Sequence, residues 1–238
     1  MLDLTGKSAI VTGGSRGIGR AVAEALVDRG ASVLIAARRS ADVEGAATSL
    51  AARGRGPARG VAADVRVEAD CEKVVATAVA AFGRLDILIN NAGVGEFVNV
   101  EEMPTAAWRV QLATNLDGVF FCCRAAIPHL KRTEGWIINV ASLASRNAFA
   151  GGAAYNASKF GLLGFTEALM LEVRHAGVRV SCVMPGSVAT EFGGEAAAGA
   201  DWKLHGDDVA RAVIDLLGYP ARALPSRVEL RPTRPQKG

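Results

Sequence analysis

Tyr155 and Lys159 stand four residues apart in a stretch of helical periodicity, a spacing that places both on one face of a helix. A tyrosine with an ordinary pKa of about 10 is a poor proton donor and a worse base at neutral pH, but a neighbouring ammonium favours the phenolate and lowers that value. The pair therefore reads as an acid–base device. Ser142 follows an apolar run and can hydrogen-bond an oxygen on which negative charge develops. Far upstream, Thr12-Gly13-Gly14-Ser15-Arg16-Gly17-Ile18-Gly19 joins an apolar run to a helical pattern. Glycines at 13, 17 and 19 permit a tight turn and close approach of backbone N–H groups to a pyrophosphate, which the positive end of the following helix also favours. The spacing is G-x-x-x-G-x-G, not the general G-x-G-x-x-G.

These groups need a frame that gathers them. Short β-rich apolar runs at 8–12, 32–36, 60–63, 85–90, 136–141, 179–184 and 227–230 alternate with helical segments near 17–29, 41–53, 68–82, 104–132, 153–175 and 207–218. That alternation predicts an α/β fold: a doubly wound, Rossmann-type parallel sheet of seven strands with helices on both faces. Such sheets bind ligands beyond the carboxyl ends of their strands at the topological switch point. No composition shift, repeat or linker divides the chain, so residues 1–238 read as one domain. The segment 193–200 (GGEAAAGA) reads as a mobile loop and a lid over the site.

Charge argues for the cofactor. A site for NAD usually places Asp or Glu about 20 residues past the glycine turn, where it accepts from the ribose 2′-hydroxyl and repels a 2′-phosphate. Here the second strand ends Ala36-Ala37-Arg38-Arg39-Ser40, and Arg16 lies inside the glycine turn. Two guanidinium groups, Arg16 and Arg38, could converge on a phosphate, with Arg39 a solvated neighbour. NADP(H) is the predicted cofactor.

The glycine spacing resembles that of the short-chain dehydrogenase/reductase family, and so does the rest of the series: Asn90-Asn91-Ala92-Gly93, Asn115, Ser142, Tyr155-Asn156-Ala157-Ser158-Lys159 and Pro185-Gly186, in the family's order from about residue 7 to 190. The resemblance implies a reductase in which hydride passes from the nicotinamide to a carbonyl carbon while Tyr155 protonates the oxygen, with Ser142 polarising it; the reverse direction oxidises an alcohol. It implies that Lys159 also holds the nicotinamide ribose hydroxyls and that Asn115 positions a water linking Lys159 to solvent. It places Asn91, Ala92 and Gly93 at the adenosine ribose, with Asn91 in direct contact and Asn90 tying strands together. Asp64 and Val65 would meet the adenine, and Pro185, Gly186, Val188 and Thr190 the nicotinamide side, while Ser15 and Ile18 join the phosphate turn. Reduction of 3-oxoacyl thioesters is a familiar activity of lookalikes. The alternative is a non-catalytic, NADP(H)-sensing regulatory protein on the same fold.

Bulk properties limit the partners. The chain has 238 residues, a formal charge of +3, half its residues hydrophobic, 27 glycines and four cysteines. A chain of this size can bury about 70% of its unfolded surface. Its basic residues are mostly scattered, which argues against nucleic acid. No apolar run reaches the 18 or so residues of a membrane span, and the start lacks a signal-peptide pattern. Cys71, Cys122, Cys123 and Cys182 lack C-x-x-C spacing, which suits reduced thiols in the cytoplasm. His129, His175 and His205 lack metal-ligand spacing and read as helix-end or surface residues; no metal is expected. A substrate wall of Phe97, Leu143, Ala144, Phe149, Met184 and the 193–200 loop points to a moderately hydrophobic carbonyl compound. Helices 104–132 and 153–175 are apolar over more than one face and need partners on both sides. In the resembling family such helices pair across a two-fold axis, which implies a homodimer or homotetramer.

Overall fold

Strand β1 (Ser8–Thr12) is buried along its whole length, as are β4 (Ile87–Asn90) and β5 (Trp136–Val140). Their sequences are mostly apolar, without a polar alternation, because a parallel sheet covered by helices has no solvent face. In the computed structural model, which describes residues 2–190, 192 and 201–235, these strands join β2 (Ser32–Ala37), β3 (Ala58–Ala62), β6 (Arg179–Pro185) and β7 (Arg227–Leu230). The seven are parallel throughout, in the order β3-β2-β1-β4-β5-β6-β7. This is the doubly wound sheet expected from the sequence.

Helices α1 (Gly17–Val27), α2 (Ser40–Ala51) and α7 (Gly206–Leu217) cover one face through Val22, Leu26, Leu50, Val209 and Val213. Helices α3 (Glu68–Phe82), α5 (Gly118–Thr133) and α6 (Ala153–Val173) cover the other through Val74, Ala78, Cys122, Leu130, Leu162 and Leu169. The order of strands reverses between β1 and β4, so the carboxyl ends of these two strands open the crevice in which ligands bind.

Three differences from the sequence reading have physical causes. The segment 104–132 is not one helix: α4 (Thr105–Leu112) passes through a π-helical turn, Ala113–Asp117, into α5. That turn carries Asn115 inward to complete burial. Strand β3 starts at Ala58, two residues before the expected 60, because an edge strand carrying the exposed Arg59 has no continuous apolar run. Strand β4 starts at Ile87, two residues after the expected 85; the preceding Asp86 is an ion-pair centre, accepting from Ser8 N and pairing with Lys7 and Arg84. His205 is a helix-end residue as expected, its N–H donating to Asp208 Oδ2 at the start of α7. The segment 193–200, the expected lid, lies outside the described residues.

Candidate active site

The glycine turn leaves β1 with Gly13 and Gly17 at φ +65° and +55°, backbone that side chains rarely adopt. Gly19 serves close approach instead: a Cβ there would lie 2.3 Å from Gly13 O and 2.4 Å from Asn91 Nδ2. Asn91 clasps the turn by donating from Nδ2 to Thr12 O at 3.0 Å and Gly13 O at 3.2 Å. Thr12 Oγ1 accepts from the N–H groups of Asn91 and Ala92 at 3.0 and 3.1 Å, which fastens the ends of β1 and β4 together. Both amide protons of Asn91 are thus committed to the protein, and a direct ligand contact is left to its Oδ1 and backbone.

Helix α1 begins immediately after, with no side-chain cap from Arg16 and no acidic residue in its first turn. The first N–H groups of a helix have no intrahelical partner, and here they end on a basic rim suited to a diphosphate. Beside it lies a cleft of about 470 Å³ lined by Ser15, Arg16, Arg20, Arg39 and Asp42 among others. Arg20, which the sequence reading passed over, is a strut: it donates to Glu24, Ala46 O and Ser49 Oγ and so joins α1 to α2. Arg39, ion-paired to Asp42, shares this cleft with Arg16. Arg38 lies towards Asp64, because the chain turns at the end of β2 and directs consecutive residues to different sides. Its charge contributes to holding the Asp64 carboxyl below its usual range, though the hydrogen bond from Arg66 does most of this. Val65 is held in place against the start of α5, where a Cβ on Gly118 would meet Val65 O at 2.8 Å.

Across the switch point the side chains are buried. Tyr155, in the first turn of α6, is 8% exposed and Lys159 is 4% exposed. Lys159 Nζ lies 5.7 Å from the Tyr155 ring centroid and donates to Val140 O at 3.1 Å. Burial pushes Lys159 down to about 8. Burial raises the Tyr155 pKa, and a hydrogen bond with Ser142 opposes that in part. Ser142 Oγ accepts from Ala144 N at 3.1 Å as the N-cap of a short 3₁₀ turn. Its hydroxyl also shares a hydrogen bond with Tyr155.

Asn115 Oδ1 accepts from Val94 N, and its Nδ2 donates to Val94 O at 2.9 Å and Ser158 Oγ at 3.0 Å. Ser158 in turn donates to Tyr155 O, so Asn115 braces the Tyr155 turn against the segment after β4. Gly93 lies between Asn115 and Lys159: a Cβ there would stand 3.4 Å from Asn115 Oδ1 and 3.9 Å from Lys159 Nζ. Asn90 ties strands together as expected, donating to Asn139 Oδ1, while Asn139 donates to Thr166 on α6. Gln111 and Asn156 were missed; they hold Glu96 and the 144–149 segment through hydrogen bonds to backbone. Pro185 ends β6, Gly186 N donates to Leu230 O, and Val188 bridges to Leu204. Thr190 approaches the glycine turn, 3.4 Å from where a Cβ on Gly17 would stand. The sequence-predicted residues thus lie at or beyond the carboxyl ends of β1 to β6.

The family model for short chain dehydrogenases matches residues 7–201. The D-threitol dehydrogenase of Mycolicibacterium smegmatis is 39% identical over 194 residues, 81% of this chain and 74% of that protein. A 3-oxoacyl-acyl-carrier-protein reductase of Vibrio cholerae is 37% identical over 80% of this chain and 77% of its own. Among solved structures, an alcohol dehydrogenase from the archaeon Thermococcus sibiricus, complexed with 5-hydroxy-NADP, superposes with a TM-score of 0.91 at 29% identity, covering 97% of this chain and 99% of that one. A metagenomic short-chain oxidoreductase in complex with NADP does so with a TM-score of 0.85 at 36% identity, covering 98% and 99%. Fold, site geometry and these matches agree: the chain belongs to the short-chain dehydrogenase family.

Proposed function

We propose that the protein is an NADP(H)-dependent oxidoreductase that reduces a ketone or aldehyde, or oxidises the matching secondary alcohol. The observation that carries this reading is the convergence of Ser142, Tyr155 and Lys159 beside a glycine turn whose rim is basic. Two solved relatives hold NADP or a derivative of it, which supports the cofactor. The 3-oxoacyl thioester reductases among the relatives make that substrate class one to test.

When bound, the dinucleotide supplies the hydride. Backbone of Gly13, Ser15, Gly17, Ile18 and Gly19 would hold its diphosphate, and Arg16 with Arg38 the 2′-phosphate. Asp64 and Val65 would meet the adenine, Asn91, Ala92 and Gly93 the ribose, and Pro185, Gly186, Val188 and Thr190 the nicotinamide side. Tyr155 Oη gives its proton to the carbonyl oxygen. Its raised pKa keeps that proton in place at neutral pH, which suits the reductive direction. Ser142 Oγ, its acceptor side occupied by Ala144 N, turns its O–H to the same oxygen. Lys159 gives one of its three protons to Val140 O and keeps two for the ribose hydroxyls and the Tyr155 side. Asn115 holds the Tyr155 turn and, with Gly93, the space beside Lys159 through which a water relay would run.

The reading includes a homodimer or homotetramer through α4, α5 and α6, supported by the exposed Phe120, Phe160 and Leu171 on α5 and α6. It includes a cytoplasmic setting, supported by four buried free cysteines; none of the described helices is long and apolar enough to cross a membrane. The test is consumption of NADPH beside NADH over ketones, aldehydes and 3-oxoacyl thioesters, with Tyr155→Phe in parallel. Turnover with NADPH that falls at least about a thousandfold in the variant is the expected result. Tight NADPH binding with no turnover of any compound would instead favour a sensor.

A further inference from the structure

Three phenylalanines on three different segments gather near Tyr155, two of them, Phe97 and Phe192, against its ring and the third, Phe149, against Phe97. Phe97 follows β4, Phe149 follows the 3₁₀ turn after β5, and Phe192 follows β6. The Phe97 ring lies 5.5 Å from those of Phe149 and Tyr155, edge-on to the latter at 87°, and the Phe192 ring lies 5.7 Å from that of Tyr155. The three side chains are nevertheless 48%, 45% and 41% exposed. Large apolar groups this exposed are ordinary when scattered, but here they share one wall around the proposed proton donor.

The wall is built and held. Gly95 and Gly152 let the rings settle onto backbone: a Cβ on Gly95 would lie 2.7 Å from Phe192 Cε1, and one on Gly152 would lie 2.5 Å from Phe149 Cε2. The buried amides of Gln111 and Asn115 grip both sides of the segment leading to Phe97. Asn156 does the same for Phe149, accepting from Phe149 N at 3.3 Å and donating to Ala144 O at 2.8 Å and Asn147 O at 3.1 Å. The rings are therefore placed before any substrate arrives. The cations on the neighbouring segments are turned away: Arg146 and Arg231 both pair with Glu229.

We infer that Phe97, Phe149 and Phe192 form the substrate-selecting wall and that the substrate they take is an uncharged aryl ketone or aldehyde, its ring packed among theirs and its carbonyl at Tyr155 and Ser142. This inference rests on the reductase reading above. A fourth ring completes edge-to-face contacts that a saturated chain of equal area cannot make, because the attraction lies between the positive edge of one ring and the negative face of the next. A flexible 3-oxoacyl chain would gain only its apolar burial here.

The test compares an aryl methyl ketone with cyclohexyl methyl ketone, of equal carbon number, in the presence of NADPH. Intrinsic reactivity differs between the two, so the quantity to follow is how the ratio of their kcat/KM values changes on substitution. Phe97→Leu and Phe149→Leu should each lower the aryl to cycloalkyl ratio about fivefold, mostly through KM, since the rings touch the part of the substrate that does not react. Both side chains are half-exposed, so these variants keep the core intact. Tyr219→Leu, at an exposed ring after α7, serves as control and should leave the ratio unchanged. Turnover of both ketones with a ratio unmoved by either substitution, or an acetoacetyl thioester preferred over both ketones, would overturn the aryl preference alone. A wild-type protein that binds NADPH and turns over neither ketone nor thioester would defeat the reductase reading and the preference with it.

Discussion

The two halves of the site are made of different material. On the β1–α1–β2 side the ligand surface is backbone and exposed charge: a glycine turn, the open end of α1 and arginines at the rim. On the β5–α6 side it is buried side chains, with Tyr155 and Lys159 both under a tenth exposed and both displaced in pKa by burial. Backbone geometry tolerates few substitutions but titrates nothing, whereas buried side chains acquire their chemistry by being removed from water. The first half should therefore fail through shape and salt, and the second through charge and pH.

After Tyr155→Phe, the largest effect should come from Lys159→Met. Activity is expected to fall at least about a hundredfold, because the cation beside Tyr155 is lost. Stability should move the other way. Burial lowers Lys159 from 10.5 to about 8, a difference that opposes folding at neutral pH by about 3 kcal/mol. Losing the hydrogen bond to Val140 O returns about 1 kcal/mol of that, so the variant should gain about 2 kcal/mol at pH 7. The sign follows from proton counts: between pH 8 and 10.5 the unfolded chain holds the lysine proton and the native one releases it, so this lysine's contribution to stability rises with pH across that window. The advantage of Lys159→Met over wild type, measured by urea unfolding, should shrink steadily from pH 8 to 10.5. An advantage constant across that range would mean that Lys159 keeps an ordinary pKa.

The backbone half should break through shape alone. Gly19→Ala places a methyl 2.3 Å from Gly13 O, a contact that neither the turn nor Asn91 can relax without releasing the β1–β4 clasp. A loss of about 2–3 kcal/mol in stability is expected, and at least about a tenfold loss in NADPH affinity. Gly17→Ala is the comparison that sharpens this. Its φ of +55° is strained for alanine, but the nearest atom is the Thr190 methyl at 3.4 Å, so a loss of about 1 kcal/mol should suffice. Equal losses from the two, read by thermal unfolding and NADPH titration, would show that strain in φ and not crowding governs the turn.

Much of this was legible in the sequence, and the reason differs between the halves. The glycine spacing and the Tyr155–Lys159 spacing are local patterns that fix local geometry, so the turn, the helix face and the parallel sheet followed. What escaped depends on partners far along the chain. The clasp that Asn91 makes with Thr12 O and Gly13 O joins positions almost eighty apart, and its own neighbourhood carries no sign of it. Gln111 and Asn156 are ordinary polar residues until their backbone partners are known. The π-turn at Asn115 breaks a helical pattern that hydrophobic periodicity draws straight through it. Spacing shows the ammonium beside Tyr155 but not the depth of burial, which raises the tyrosine's pKa. Asn139, a polar residue amid the apolar run Trp136–Val140, was the one signal available for the buried chain that links Asn90 to α6.

The smallest effect separates Arg16 from Arg38 at the rim. Arg16 lines the cleft beside α1, whereas Arg38 is exposed and acts on Asp64. Replacing either removes one charge-assisted contact from a solvent-facing phosphate, a loss of about 1 kcal/mol. Arg16→Ala should therefore weaken NADPH about fivefold and leave NADH within twofold, since only NADPH carries the 2′-phosphate. Arg38→Ala should do the same to a lesser degree, because the Asp64 carboxylate beside it competes for the guanidinium. Both losses should shrink as salt rises from 0.05 to 0.5 M, which shortens the screening length from roughly 14 to 4 Å. The Gly19→Ala loss, made of steric contact, should not change with salt. If the arginine losses also ignored salt, the rim would be acting through shape, and the distinction between the two halves of the site would fail at the point where it is easiest to measure.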